Sequence, residues 1–157
     1  MDRIVGIGEF AVSDKKDDVI KTFALSTCVA VAVYSPLRNV AGMVHVALPS
    51  PASARDDDQM RPCYYASTGV PYLINKMCSE FGCLKGELMV ELFGGAMSVR
   101  NNDIFKIGTK NINTVKEILN VLNIKYRAIE IGGICSRTLA MDVATGKINV
   151  IMQPITI

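Results

Sequence analysis

Runs rich in Val, Ile and Ala fill both ends of the chain, and two stretches with helical spacing lie between them. Ile4 to Val12 reads as an opening strand, followed by a charged turn at Ser13 to Asp18 and a second strand over Val19 to Leu25. Val29 to Tyr34 and Val40 to Leu48 are β-rich runs around Ser35-Pro36-Leu37-Arg38-Asn39, with proline where a type I turn favours it. Pro49 to Cys63 is an irregular polar loop. Val70, Leu73, Ile74, Met77 and Phe81 then recur at helical spacing, and Gly82 is placed to stop that helix. Leu88 to Phe93 reads as a strand ending in Gly94-Gly95. A second helix from about Thr109 to Leu122 carries Ile112, Val115, Ile118, Leu119 and Leu122 on one face. Tyr126 to Ile131 is a strand ending in Gly132-Gly133, and Thr138 to Val143 and Lys147 to Met152 form a closing hairpin around Ala144-Thr145-Gly146. Runs of neighbouring strands, without strict strand–helix alternation, predict an α+β domain: a mixed or antiparallel sheet system with two main helices laid on one side.

The 157 residues form one domain, 1–157, with no repeat or linker dividing it. Half the residues are apolar and a fifth charged, which supports a sizeable core and excludes wholesale disorder. The net charge is +2, and the only like-charge run is Asp56-Asp57-Asp58, so nucleic acid is a poor partner. The start, Met1-Asp2-Arg3-Ile4-Val5-Gly6, lacks the pattern of a secretory leader, and no apolar run reaches the ~20 residues that cross a bilayer. Five irregularly spaced cysteines argue against a disulfide framework and for a reducing, cytoplasmic compartment. There is one histidine, His45, and chemistry that needs an imidazole must use it.

The first hairpin brings that histidine toward one cysteine. With Pro36 and Leu37 as a two-residue turn, Ser35 faces Arg38, and continuing outward places Cys28 opposite His45 on one face of the sheet. Val29, Val31, Val33, Val40 and Val44 then share the other, core-like face. A loop one residue longer turns His45 away from Cys28, and both residues as ordinary buried strand positions is the competing reading. A Cys–His pair suits acyl transfer from amides and esters: a neighbouring imidazolium stabilises the thiolate and so lowers the thiol pKa, the same imidazolium supplies a proton to the leaving amine, and the backbone N–H of Cys28 and a neighbouring amide are candidates to stabilise the oxyanion. Other features carry less. Gly6-Ile7-Gly8-Glu9-Phe10-Ala11 has dinucleotide-fingerprint spacing without the strand, helix and acidic residue that fingerprint needs. Cys78 and Cys83 lack the partners of a zinc site. Arg137 reads first as a solvated hairpin residue, with a buried structural ion-pair partner as the alternative. No cofactor and no metal are expected.

Several ordered motifs together resemble one family, the chemoreceptor glutamine deamidases called CheD. They are Val5-Gly6-Ile7-Gly8-Glu9, Leu25-Ser26-Thr27-Cys28-Val29-Ala30-Val31, Gly42-Met43-Val44-His45-Val46-Ala47-Leu48-Pro49, Leu92-Phe93-Gly94-Gly95-Ala96, Ile107-Gly108-Thr109-Lys110-Asn111, and Gly132-Gly133 with Arg137. The resemblance implies hydrolysis of glutamine side-chain amides on receptor signalling helices, and in some members of glutamyl methyl esters. It implies Cys28 as nucleophile, His45 as general base and acid, and Thr22 as the group that orients the imidazole. It further implies a β-sandwich flanked by helices, similar to the cytotoxic necrotizing factor deamidases, and a CheC-type phosphatase as partner. A substrate that is itself a folded helix bundle requires a shallow site with Cys28 reachable from solvent. Ser26-Thr27 stands where family members usually have Gly-Ser, which puts a β-carbon on a tight segment beside the nucleophile; the alternative reading is a regulatory binding partner of the CheC-type phosphatase with weak or no deamidase activity.

Overall fold

The computed structural model describes residues 1–52, 61–97 and 105–155. Its strands are β1 (Asp2–Ile4), β2 (Phe10–Ser13), β3 (Val19–Leu25), β4 (Val29–Ser35), β5 (Val40–Val46), β6 (Met89–Gly94), β7 (Tyr126–Ile131), β8 (Cys135–Asp142) and β9 (Ile148–Pro154). The helices are α1 (Ala66–Phe81) and α2 (Ile107–Val121). One sheet has the order β1-β3-β8-β9 and the other β2-β5-β4-β6-β7. The pairs β1–β3 and β6–β7 are parallel and the remaining pairs antiparallel, which is the mixed arrangement the strand-rich pattern predicts.

The alternation along β4 explains the layering. Val29, Val31 and Val33 point to one side, where they pack with Val40, Val44 and Val46 of β5, Val70, Leu73 and Met77 of α1, and Val115 and Leu119 of α2. Ala30 and Ala32 point to the other side, with Ala41 and Met43, against Ile20, Leu25, Leu139 and Met141 of the first sheet. The second sheet is thus covered on both faces, which is why β4 and β5 read as continuous apolar runs. Both helices lie on its outer face. At Gly42 a β-carbon would sit 2.8 Å from the Met77 sulfur, so glycine lets α1 pack close to β5.

Two sequence expectations change. Ile4 to Val12 is not one strand: β1 and β2 belong to different sheets. The chain between them turns at Gly6 to Glu9, with Gly8 at φ +77° and the Glu9 N–H on the Gly6 carbonyl at 3.0 Å. The first hairpin is also longer than a two-residue turn. Ser35 pairs with Val40, leaving Pro36 to Asn39 as a four-residue loop. Asn39 adopts φ +55° and donates to the Val143 carbonyl at 2.8 Å, so its side chain ties this loop to the turn between β8 and β9. The register consequently moves by two residues, and His45 faces Ala30 instead of Cys28. A shift of two preserves the face of every side chain, where a shift of one would have reversed it. Cys28 remains on the inner side with Ala30, diagonal to His45. The Asp56-Asp57-Asp58 run and most of the loop containing it lie outside the described residues.

Candidate active site

Thr22 and His45 approach each other across the gap between the sheets. On β3, Ile20 and Thr22 alternate inward and both are fully buried. The Thr22 hydroxyl donates to the Val5 carbonyl at 2.7 Å and lies 2.8 Å from Nδ1 of His45. A hydroxyl has one proton, and with that proton on Val5 its oxygen must accept from Nδ1–H. The imidazole is therefore held as the Nδ1–H tautomer, with its lone pair on Nε2. Nε2 is buried and has no hydrogen-bond partner among the described residues. The His45 backbone is held too: its N–H donates to the Glu9 carbonyl at 3.1 Å and its carbonyl accepts from Gly8 N–H at 2.8 Å. The glycines that mimic a cofactor fingerprint thus form the turn that steadies His45.

Just past Thr22 the ladder slips. Thr22 pairs with Leu139 but Leu25 pairs with Arg137, so β3 carries an extra residue there, and Ala24 takes φ +54°. This bulge bends the chain out of β3 and into the turn Ser26-Thr27-Cys28. Every carbonyl of that turn is occupied. Ser26 O accepts from Ala96 N–H at 2.6 Å, Thr27 O from the Asn111 carboxamide at 2.9 Å, and Cys28 O from Gly95 N–H at 2.8 Å. A β-carbon at Gly94 would lie 2.3 Å from the Cys28 carbonyl oxygen, and Gly94 adopts φ +101°, so only glycine fits beside the Ser26-Thr27-Cys28 turn. Among the described residues, the N–H groups of Thr27 and Cys28 have no hydrogen-bond acceptor. They remain available as donors to an oxyanion. Ser26 is absent from the positive-φ residues, so its β-carbon fits without backbone strain.

Burial sets the charge state of the pair. It lowers the His45 pKa to about 4 and raises that of Cys28 above the ordinary thiol value of 9.0, so at neutral pH both groups are uncharged. The thiolate–imidazolium pair that a Cys–His pair in water would suggest is accordingly not the resting state.

The buried imidazole also makes a stability prediction. A histidine whose folded pKa is about 4, against ~6.5 in the unfolded chain, contributes fully above pH 6.5 and loses that contribution as pH falls toward 4. The loss amounts to about 3 kcal/mol. Asp18, which accepts hydrogen bonds from Ser13 and Arg3, has a lowered carboxyl pKa and adds its own loss only at still lower pH. Urea unfolding at pH 7 and pH 4.5 should show most of the His45 loss in the parent and little in His45→Gln.

Arg137 is not a solvated hairpin residue. It is 3% exposed, with Nη1 3.5 Å from the Gly94 carbonyl, Nη2 3.8 Å from Glu130, and Nε without a partner among the described residues. Asn111, which the sequence offers only as the end of the Ile107–Asn111 motif, is fully buried and donates to the Thr27 carbonyl of the Ser26-Thr27-Cys28 turn. A polar residue on the otherwise apolar stripe of α2, between Gly108 and Ile112, was the available signal. Cys28 is partly exposed, as a protein substrate requires, while Cys63 and Cys83 are buried. A cavity of about 400 Å³, lined by Tyr34, Phe93, Met141 and Ile148 among others, opens toward the far end of β4 and includes none of Thr22, Cys28 and His45. Among the described residues, no group of three His, Cys, Asp or Glu side chains is placed to hold a metal ion, and no helix is long and apolar enough to cross a membrane.

Comparison with known proteins gives a consistent result. A family model described as CheD chemotactic sensory transduction matches residues 47–152. The probable chemoreceptor glutamine deamidase CheD of Syntrophotalea carbinolica is 43% identical over 151 residues, covering 95% of this chain and 93% of its own length. The probable chemoreceptor glutamine deamidase CheD 1 of Syntrophus aciditrophicus is 35% identical, covering 95% of this chain and 92% of its own. The Pyrococcus abyssi protein of the same description is 36% identical, covering 92% and 88%. The crystal structure of the Bacillus licheniformis hypothetical protein YfiH shares the fold with a TM-score of 0.53 at 11% identity, over 78% of this chain and 51% of that one.

Proposed function

The chain belongs to the CheD family, and from that premise we propose that it hydrolyses glutamine side-chain amides on chemoreceptor signalling helices, with Cys28 as nucleophile, His45 as base and acid, and Thr22 as the orienting group. The observation that carries this reading is the fixed tautomer of His45, whose Nε2 lone pair is free on the sheet face that Cys28 shares.

In the proposed reaction the Cys28 thiol passes its proton to Nε2 as sulfur attacks the carboxamide carbon. The N–H groups of Thr27 and Cys28 receive the oxyanion. Collapse expels ammonia with the proton from imidazolium and leaves a γ-glutamyl thioester on Cys28. A water then gives its proton to Nε2 and attacks the thioester. The products are glutamate and the regenerated thiol.

Exposed apolar side chains accompany the site: Phe23 follows Thr22, and Met97 and Ile134 border the bond from Met97 N–H to the Gly133 carbonyl. They provide apolar contacts of the kind that an amphipathic helix buries. We propose that a CheC-type phosphatase docks on the same surface and competes with receptors. Five free cysteines fit a cytoplasmic setting. The test is to incubate the protein with a soluble receptor signalling fragment and follow ammonia release together with glutamine-to-glutamate conversion by mass spectrometry. Stoichiometric ammonia and glutamate support the reading. An unchanged fragment, under conditions where the protein is folded, overturns it.

A further inference from the structure

Asn111 stands out because a buried carboxamide is costly to place on an apolar helix face. The residue is fully buried on α2, in a stripe with Ile112, Val115 and Leu119. Its Nδ2 donates to two carbonyls, Thr27 O at 2.9 Å and Ala47 O at 3.0 Å. Its Oδ1 is buried without a hydrogen-bond partner among the described residues. Packing alone would favour an apolar side chain here, since an unpaired buried acceptor opposes folding. The two carbonyls explain the placement. Thr27 immediately precedes the nucleophile, and Ala47 lies two residues beyond His45. The β4–β5 ladder ends at Val29–Val46, so no ladder bond joins the strands at Cys28 and Ala47. One carboxamide spans that break.

The first turns of α2 grip the same segment by a second route. A β-carbon at Gly108 would lie 2.2 Å from the Ala96 carbonyl, and one at Gly95 would lie 2.2 Å from the Ile112 side chain. The helix therefore packs directly on the Gly95-Ala96 backbone, whose N–H groups hold the Cys28 and Ser26 carbonyls. Asn111 holds the carbonyl between them. With three consecutive carbonyls fixed inward, the peptide planes of the turn are fixed as well, and with them the direction of the Thr27 and Cys28 N–H groups in the Ser26–Thr27 and Thr27–Cys28 linkages.

We propose that Asn111 is a positioning residue that locks the nucleophile turn to the end of the His45 strand, setting both the Cys28–His45 separation and the orientation of the oxyanion donors. This inference rests on the deamidase reading. Loss of the lock displaces the reacting groups without removing any of them, and a misplacement of ~1 Å costs about 10²-fold in rate.

The experiment compares parent, Asn111→Ala and Asn111→Ser in deamidation of a receptor fragment, with thermal unfolding recorded for each. Binding of a peptide bearing a γ-aldehyde in place of the glutamine carboxamide is measured alongside. The aldehyde forms a thiohemiacetal with Cys28, and its oxygen calls on the same donors as the tetrahedral intermediate. We expect kcat to fall about 10²-fold in Asn111→Ala with KM nearly unchanged, aldehyde affinity to fall in parallel, and Asn111→Ser, which retains one donor, to lie between. A lowered melting temperature with kcat and aldehyde affinity intact in the folded fraction would overturn the positioning role. Should Asn111→Ala fail to fold, the same comparison in Asn111→Ser decides. An inactive parent would instead refute the deamidase reading, which keeps the two failures distinct.

Discussion

Cys28→Ala is expected to abolish glutamine deamidation, a loss of about 10⁶-fold, while leaving the fold intact. Alanine keeps the β-carbon and the backbone through which Gly95 holds the Cys28 carbonyl, so the turn has no reason to move. Cys28 is partly exposed and its sulfur enters no hydrogen bond among the described residues, which limits the stability change to about 1 kcal/mol. None of the other four thiols substitutes for it. Cys63 and Cys83 are buried, and both pack with Cys78 in the helix-covered cluster, on the face of the second sheet away from His45. Cys135 begins β8, apart from the Thr22–His45 pair. Ammonia release and denaturant unfolding on the same preparation provide the check. Residual turnover near the parental rate would remove Cys28 from the mechanism.

The second large effect belongs to Thr22. Thr22→Val conserves shape and removes only the hydroxyl, leaving the Val5 carbonyl and the Nδ1–H of His45 buried without their partner. Each orphaned group costs about 1–3 kcal/mol of stability. The larger consequence is chemical: nothing then holds the proton on Nδ1. An imidazole that moves its proton to Nε2 presents a donor to Cys28 where the reaction needs an acceptor. Turnover should fall about 10³-fold with KM little changed, by the logic through which a triad orienting group acts. Thr22→Ser, which restores the hydroxyl, should recover most of the rate. A Thr22→Val protein with parental kcat would show that the imidazole is oriented by something else.

Much of this architecture is legible in the amino-acid order because it follows from period. The valines of β4 alternate with alanines and those of β5 fall on the same face, and that alternation separates the helix-covered face from the face between the sheets. The face assignment of Cys28 and His45 survived an error in register because the true hairpin loop is longer by two residues on one side of the pairing sum, an even shift. The loop length itself was hidden. It depends on Asn39 adopting φ +55° and reaching Val143, more than a hundred residues away in sequence. The break between β1 and β2 depends on which sheet each strand joins, which no local pattern states. Thr22 became a candidate through family resemblance, although its alternation with Ile20 marks it as a polar residue on an inward face. The burial of Arg137 is not legible in its neighbours, because a lone polar residue in an apolar pattern looks like surface until the layer covering it is known.

The charge state of the pair is the least legible feature. In water, a thiol beside an imidazole suggests an ion pair. Inside the sandwich, burial lowers the His45 pKa and raises that of Cys28, so both groups are neutral at rest.

The most direct test of this account is rapid acid quenching of the protein mixed with a glutamine-containing receptor peptide, followed by intact-mass and fragment analysis. The account predicts a transient adduct equal to the peptide less ammonia, attached as a thioester to Cys28 and lost with hydroxylamine. Deamidated peptide accumulating with no adduct, or with the adduct on another cysteine, would contradict it.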